Sequence, residues 1–243
     1  MTREGIDGFH DRWRLDAGAQ YLQEALMSMM FYCGSGSPPA WRVWLGLEHK
    51  QLPYELKMLS FSAGDLKTEE FTQLNPRQKV PVLVENGFVL CESVAILEYL
   101  DERHPVAGRG RLFPDDARER ALVRRFIQET DWYLGMAMGR MLREIFHKAE
   151  EEWDRALIAD SRGKLAAELA HFERQIRGDY LTGVLSAADF TLYPMIALAL
   201  RADLKDPALA IRTLVGPKLT AWMGRIEALP YFARTLPPHW KNN

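Results

Sequence analysis

Residues 80–105, VPVLVENGFVLCESVAILEYLDERHP, constrain the fold more than any other part of the chain. Asn86-Gly87 lies between two short apolar runs, which is the strongest local signal for a β-hairpin. A segment with helical spacing of apolar residues follows at once and stops at Pro105. The segment therefore predicts two antiparallel strands that lead directly into a helix.

The residues before this hairpin predict a strand, a helix and a second strand. The run LMSMMFY, residues 26–32, is short, apolar and followed by Gly and Ser residues, as a buried strand is. PPAWRVWLGLEHK has apolar residues at helical spacing, and LPYELKMLS alternates as a half-buried strand does. A polar loop then leads to the hairpin. The first half therefore predicts an α/β unit, β-α-β followed by β-β-α, with the thioredoxin-like outline of a parallel strand pair extended by an antiparallel hairpin.

The second half predicts an all-helical domain. A long periodic segment opens with Asp115 and Asp116, where the helix dipole favours acidic residues. Ser186 and Asp189 have the spacing of a capping box at the start of a further helix. Pro and Gly residues cluster just before this half, as they do in linkers. The predicted organisation is an N-terminal extension at 1–25, a thioredoxin-like domain at 26–104, a linker at 105–114 and an all-helical domain at 115–243.

Composition argues against several classes of function. The 31 basic and 33 acidic residues are interspersed and leave a formal charge of −2, so we expect neither a nucleic-acid nor a membrane partner. No apolar run approaches the ~20 residues that a membrane span needs, and the N-terminus lacks the apolar core of a signal peptide. Cys33 and Cys91 form neither a disulfide framework nor a metal-ligand pattern. We therefore expect a cytoplasmic protein without a metal.

Three motifs make the chain similar to the cytosolic glutathione transferases. They are SPPAWRV after the first predicted strand, NPRQKVPVLVENGFVLCESVAILEYLDE around the hairpin, and YLTGVLSAADFTLYPMI in the helical half. The middle motif is the most specific, because Val-Pro and Glu-Ser recur at a fixed separation across that family. The resemblance covers nearly all of the chain except residues 1–25, and it points to serine-using members of theta-, tau- or zeta-like character.

The resemblance implies a thioredoxin-like domain that binds glutathione as a co-substrate, and a helical domain that shapes a site for a small, hydrophobic electrophile. It also implies a homodimer. The implied activity is conjugation of the glutathione thiolate to that electrophile, as in detoxification. Peroxide reduction or isomerisation would use the same thiolate, and a binding or scaffold protein that kept the fold without the chemistry is a further alternative.

The hairpin motif supplies the candidate glutathione-binding residues. If the Val80-Pro81 bond is cis, as the resemblance implies, the turn exposes the backbone of Val80 to pair with the cysteinyl backbone of the ligand. The alternative is a trans proline that opens an edge strand. Ser93, at a helix N-terminus, would receive the γ-glutamyl carboxylate, while Glu92 takes the ammonium group. The alternative is that Glu92 and Ser93 only favour the first helical turn.

Three further residues are candidates for the glycyl end of glutathione. Lys79 stands where the family often places a group that reaches the glycyl carboxylate, although a solvated loop lysine would look the same. Gln78 and Lys67 are weaker candidates, because alignments slip in loops.

Ser37 is the first candidate for the group that stabilises the thiolate, because it stands where the serine-using relatives carry theirs. Its hydroxyl can donate a hydrogen bond to sulfur. The alternative role is a helix N-cap before Pro38, and the two roles are compatible. Ser35 is the second candidate, although it can serve only as a turn residue. Tyr32 and Cys33 do not align with the positions of a catalytic tyrosine or cysteine.

The helix that opens the second half supplies the candidate electrophile site. The resemblance implies that this helix, which carries aromatic and Met side chains, faces the first domain, and the alternative for each residue is ordinary core or interdomain packing. The candidates are Trp132, Tyr133, Met136, Met138 and Arg140.

Overall fold

A computed structural model describes residues 29–240 of the chain. The extension predicted at 1–25 and the first part of the strand predicted at 26–32 lie outside the described residues. Within 29–240 the strands are β1 (Met29–Gly34), β2 (Glu55–Leu59), β3 (Val82–Glu85) and β4 (Phe88–Cys91). The helices are α1 (Pro38–Lys50), α2 (Glu69–Leu74), α3 (Ser93–Arg103), α4 (Ala117–Glu129), α5 (Gly135–His147), α6 (Arg155–Gln175), α7 (Ala187–Leu200), α8 (Pro217–Glu227) and α9 (Phe232–Thr235).

The four strands form one sheet in the order β2-β1-β3-β4. β1 runs parallel to β2 and antiparallel to β3, and β3 is antiparallel to β4. Phe31 stands beside Leu56 on one side and Leu83 on the other, which fixes the register of the central strands. This topology confirms the predicted thioredoxin-like unit, a parallel pair extended by a hairpin.

Local signals in the sequence account for the ends of several elements. Asn86 and Gly87 both have positive φ angles, 51° and 82°, as the two central residues of a type I′ hairpin turn require. The capping box at the start of α7 is formed in both directions between Ser186 and Asp189. Asp116 caps α4 by accepting hydrogen bonds from two backbone amides of its first turn.

Two regions differ from the sequence-based expectation. The loop expected between β2 and β3 contains a 3₁₀ turn (Asp65–Lys67) and the short helix α2, which Thr68 caps by accepting from the Phe71 amide. The long helix expected after residue 115 is interrupted by a π-helical turn, Thr130–Leu134, between α4 and α5. A π turn spreads its hydrogen bonds over five residues, so it changes which side chains face the core beyond it.

The helical second half packs on the first through α1 and α7. Trp41 of α1 is buried there, and its indole N–H donates to Thr235 Oγ1 at 3.0 Å. Its ring packs edge-on against the ring of Tyr193, with 5.5 Å between the ring centroids. α3 ends at Arg103 and α4 begins at Ala117, so the predicted linker falls between these two helices. Within the described range, no helix is both long enough and apolar enough to cross a membrane.

Candidate active site

A serine-containing turn connects β1 to α1. The amide of Ser37 donates to the carbonyl of Gly34 at 3.0 Å, and Gly36 between them has a φ of 80°. A Cβ on Gly36 would lie 2.9 Å from Cε1 of His239, so glycine also allows the C-terminal segment to approach the turn. The turn is therefore both tight and covered by a distant part of the chain.

Ser37 is the N-cap of α1. Its Oγ accepts a hydrogen bond from the Ala40 amide at 3.4 Å, and its backbone is extended, as an N-cap requires. Pro38 and Pro39 have no N–H, so the Ser37 side chain has only one amide to cap. An N-cap oxygen accepts, and the hydroxyl hydrogen of Ser37 therefore stays available as a donor.

The Val80-Pro81 peptide bond is cis and lies beside the serine turn. The first residue of β3, Val82, pairs with Tyr32 near the end of β1, which brings the proline turn to the same end of the sheet. A Cβ on Gly34 would lie 3.0 Å from Cγ2 of Val80, so the two turns are in contact.

The loop that leads into Val80 is held by a buried asparagine. Asn75 is 4% exposed, its amide donates to the Lys79 carbonyl at 2.7 Å, and its Oδ1 accepts from the Arg77 amide at 3.1 Å. Gln78 has a φ of 52° and donates to Thr72 Oγ1 at 3.3 Å, while the Lys79 side chain is exposed. Lys67, at the end of the 3₁₀ turn, is also exposed.

Glu92 and Ser93 occupy the junction between β4 and α3. Val82 pairs with Cys91, so this junction lies at the same end of the sheet as the serine and proline turns. Glu92 has a φ of 69°, an uncommon conformation for a residue with a side chain. Its side chain is exposed and caps no amide of the described chain, whereas Ser93 is buried at the first position of α3.

A cavity of about 700 Å³ opens between the serine turn and the helical domain. One wall is the serine turn with Phe61 from the loop after β2, and the other wall comes from α5 and α7. We call this cavity the interdomain cleft. Its lining residues are Ser35, Gly36, Ser37, Pro38, Pro39, Phe61, Gly135, Met138, Gly139, Leu142, Arg143, Phe146, His147, Met195 and Leu198.

The aromatic residues expected in the electrophile site, Trp132 and Tyr133 of the π turn, do not line this cleft. Trp132, Tyr133 and Met136 are 62%, 63% and 67% exposed and do not line the cleft. Met136 and Arg140 instead line an adjoining groove beside α6, which shares Gly135, Gly139 and Arg143 with the cleft. Met136 and Arg140 each follow a cleft-lining glycine by one residue, and one residue turns the helix by about 100°, so their side chains lie to one side of the face that lines the cleft. Trp132 and Tyr133 belong to the π turn, which changes their phase relative to α5. Only Met138 of the expected set lines the cleft.

Neither Cys33 nor Tyr32 is placed to stabilise a thiolate in the cleft, whereas Ser35 lies in it. Cys33 is buried, and burial raises the pKa of its thiol to about 12, so it holds almost no thiolate near neutral pH. Tyr32 packs against Phe71 and lines a groove formed with β2 and α2. Ser35 lies in the interdomain cleft, where its Oγ is 2.6 Å from Nδ1 of His239.

Sequence reasoning missed several residues of the cleft. Phe61, Arg143, Phe146 and His147 line it, and His239 reaches it from the far end of the described chain. Arg143, Phe146 and His147 continue the spacing of Met138 along one face of α5, so helical phase was the signal that could have found these three residues. Phe61 and His239 carry no local signal.

A thioredoxin-like domain with a cis-proline turn beside a serine turn, covered by a helical domain, defines the two-domain class of fold to which this chain belongs. Family models give the particular member of that class. Residues 36–103 match the glutathione S-transferase N-terminal domain, and residues 115–225 match the glutathione S-transferase C-terminal domain. The chain belongs to the glutathione S-transferase family and is an enzyme of that family.

Individual relatives agree with this assignment. The chain is 29% identical to glutathione S-transferase A of Pleuronectes platessa, over 87% of this chain and 92% of the relative. It is 33% identical to a probable maleylacetoacetate isomerase of Vibrio cholerae, over 87% of this chain and 97% of the relative. The crystal structure of a glutathione S-transferase from the Antarctic clam Laternula elliptica superposes with a TM-score of 0.75 at 32% identity, covering 89% of this chain and 95% of that one.

Proposed function

We propose that this glutathione transferase joins the thiolate of glutathione to a small apolar electrophile bound in the interdomain cleft. One observation carries the proposal: the serine turn, the cis-proline turn and the start of α3 meet at one end of the sheet, and the cleft begins at the serines. A peptide held along the two turns would present its sulfur to the cleft.

The backbone of Val80 would pair with the cysteinyl backbone of glutathione, as one added residue of strand. Ser93 and the first amides of α3 would bind the γ-glutamyl carboxylate, because a helix N-terminus favours an anion. The exposed carboxylate of Glu92 would take the ammonium group. Lys79 would reach the glycyl carboxylate, with Gln78 and Lys67 as less well placed alternatives.

Ser37 would stabilise the thiolate. A free cysteine thiol has a pKa near 8.5, and only the thiolate is a strong nucleophile, so a donor aimed at sulfur raises the reactive fraction at neutral pH. Ser37 suits this role because its oxygen caps α1 while its hydrogen stays free. Cys33 does not compete for the role, because burial raises its thiol pKa to about 12.

The ultraviolet absorbance of the thiolate of bound glutathione, followed against pH, tests this proposal. We expect the wild-type protein to lower the thiol pKa well below its free value and Ser37→Ala to raise it by about one unit, which is a tenfold loss of thiolate. Binding of glutathione without any shift in the wild type would contradict the proposal and favour a binding or scaffold protein.

Isomerisation is the second candidate function. Several relatives are named maleylacetoacetate isomerases, including those of Vibrio cholerae and Mus musculus. Arg143 and His147 line the cleft, and a cation there would attract a carboxylate substrate. The rate with a cis-dienoic dicarboxylate, compared with the rates on an uncharged aromatic electrophile and on an organic peroxide, distinguishes isomerase, transferase and peroxidase.

A homodimer and a cytoplasmic location complete the proposal. Trp132, Tyr133 and Met136 stand close together in the chain and are between 62% and 67% exposed, and exposed apolar side chains that cluster often mark an interface. We expect sedimentation to show a dimer and Trp132→Glu to shift it towards monomer, whereas a wild-type monomer would contradict this part. The free thiols of Cys33 and Cys91 suit a reducing compartment.

A further inference from the structure

The C-terminal segment brings a histidine onto the serine turn. His239 and Ser35 are 204 positions apart in the chain, and the Nδ1 to Oγ distance between them is 2.6 Å. On the other side of the same ring, the indole Nε1 of Trp240 lies 2.8 Å from Nε2 of His239. Both ring nitrogens of His239 are therefore engaged.

The second contact determines which nitrogen of His239 carries the hydrogen. An indole N–H can only donate, so Nε2 must accept and carries no hydrogen. In a neutral imidazole the hydrogen is then on Nδ1, which donates to Ser35 Oγ. Burial, with a smaller contribution from Arg201, lowers the pKa of His239 and so favours this neutral form.

Trp240 is itself fixed, so it can hold the histidine in this tautomer. Trp240 is 8% exposed, and its ring packs edge-on against the ring of Trp41, with 5.2 Å between the ring centroids. The guanidinium of Arg201 lies over the same ring, with its Cζ 4.6 Å from the ring centroid. Trp41 belongs to α1, so the same helix that Ser37 caps also supports the indole.

A donating Nδ1 has a direct consequence for Ser35. Because the Ser35 oxygen accepts from His239, its own hydroxyl hydrogen is free to donate elsewhere. Ser35 lines the interdomain cleft together with Ser37. The free hydroxyl hydrogen of Ser35 can therefore donate a hydrogen bond to an acceptor bound in the cleft. The arrangement also argues against a serine nucleophile, since a general base would have to present an acceptor nitrogen to the hydroxyl.

We propose that Trp240 and His239 act as positioning residues that hold Ser35 as a second hydrogen-bond donor to the thiolate in the interdomain cleft. The proposal rests on the proposed function, because it assumes that glutathione places its sulfur in that cleft. Ser37 and Ser35 would then stabilise the anion together, and the C-terminal segment would be required for the full effect. No bond is made or broken by His239 itself.

The pH titration of the thiolate absorbance of bound glutathione tests the proposal in the full chain. We expect His239→Ala to raise the thiol pKa by about half a unit to one unit, or roughly three- to tenfold less thiolate. His239→Asn can place an amide donor near the position of Nδ1, so its thiol pKa should lie close to that of the wild type. Trp240→Phe keeps an aromatic ring but removes the indole N–H, and should also raise the pKa of the bound thiol.

A double-variant cycle separates positioning from a general structural effect. If His239 acts through Ser35, then His239→Ala should cause no further shift in a Ser35→Ala protein. An equal shift in both backgrounds, or no shift from His239→Ala in the wild-type background, would overturn the proposal. His171→Asn, on α6, is the matched histidine control and should leave the titration unchanged. Thermal unfolding of each variant identifies one that has lost its fold.

The same titrations distinguish a failure here from a failure of the proposed function. A wild-type protein that binds glutathione without lowering its thiol pKa would overturn both. A wild-type protein that lowers it, together with a Ser37→Ala effect but no effect of the variants at His239 and Trp240, would overturn only this inference.

Discussion

Arg42 and Asp131 form a two-pronged ion pair that ties α1 to the π turn of the helical domain. Nη1 of Arg42 lies 2.9 Å from Oδ2 of Asp131, and Nη2 lies 2.5 Å from Oδ1. The two partners are unequally buried, because the Arg42 side chain is 2% exposed and the Asp131 side chain 35% exposed. Within the described chain Nε of Arg42 has no hydrogen-bond partner, so the guanidinium depends on this one carboxylate.

The unequal burial predicts an unequal cost of breaking the pair. Asp131→Ala leaves a buried guanidinium unpaired and should lower the free energy of unfolding by about 2–3 kcal/mol, less than for a fully buried pair because Asp131 is partly hydrated. Arg42→Met replaces the charge with an apolar side chain of similar length, while Asp131 can turn to water, so its cost should be smaller. Urea unfolding measures both, and the reverse order would contradict this account.

Ser37 has two roles that one pair of variants can separate. Ser37→Ala removes both, so we expect a stability loss of at most about 1 kcal/mol and a fall in kcat/KM of about 10- to 100-fold. Ser37→Asp keeps an N-cap oxygen but has no hydrogen to donate when ionised, and its charge repels a thiolate. It should therefore keep the stability and lose the activity. Thermal unfolding and conjugation rates decide the matter, and an active Ser37→Asp protein would rule out the donor role.

Glu92 should act on the binding of glutathione rather than on the chemical step. Glu92→Gln removes the charge opposite the ligand's ammonium group, so we expect the KM for glutathione to rise about tenfold with kcat little changed. For a glutathione analogue without the amino group, the wild type and Glu92→Gln should have the same KM. Glu102→Gln, at an exposed position near the end of α3, is the matched control. If the two variants behaved alike, Glu92 would be only a residue of the first helical turn.

The side chains of α5 that line the cleft should set the preference for the electrophile. Phe146→Ala removes an aromatic wall of the interdomain cleft, so the KM for an apolar electrophile should rise about tenfold, equivalent to ~1.4 kcal/mol. The KM for glutathione should stay the same. Val184→Ala, at a position 62% exposed, is the control. Steady-state kinetics with both substrates varied provides the test, and equal KM values for wild type and Phe146→Ala would place the electrophile elsewhere.

The sequence predicted those features that depend on neighbours in the chain. The hairpin at Asn86-Gly87, the N-cap at Ser37 and the capping box at Ser186 each need only a few adjacent residues, and each is present. The cis form of Val80-Pro81 was expected from the family resemblance alone, since most X-Pro bonds in folded proteins are trans.

Features that depend on helical phase or on distant contacts escaped the sequence. The family resemblance predicts Trp132 and Tyr133 in the electrophile site, but both are exposed, whereas Met138 and Met141 further along are buried. The contact between Ser35 and His239 joins two short segments that lie 204 positions apart in the chain. No sequence motif links the two segments, so the contact is found only from the structure.

Asp101, at the C-terminal part of α3, joins α1 to the linker. Its carboxylate is fully buried and accepts from Lys50 Nζ at 2.9 Å and from Arg111 Nε at 2.8 Å. The amides of Leu112 and Phe113 donate to it at 2.8 and 3.2 Å. Burial alone would raise the pKa of Asp101, but these donors favour the charged form more strongly, and the pKa lies below its ordinary value.

The lowered pKa of Asp101 predicts a particular response of stability to acid. Because the unfolded chain binds the proton more tightly than the folded one, the stabilisation is complete above the unfolded pKa, near 3.9, and is lost as the pH falls through the lower folded pKa. Asp101→Asn should therefore be clearly less stable than the wild type near pH 7, and the difference should shrink as the pH falls below about 3.9. Asp160→Asn, whose exposed carboxylate pairs with Lys164, should show little difference at any pH. Urea midpoints across this pH range measure the effect, and a difference between wild type and Asp101→Asn that stayed constant with pH would mean that packing, rather than the charge, makes Asp101 necessary at the junction.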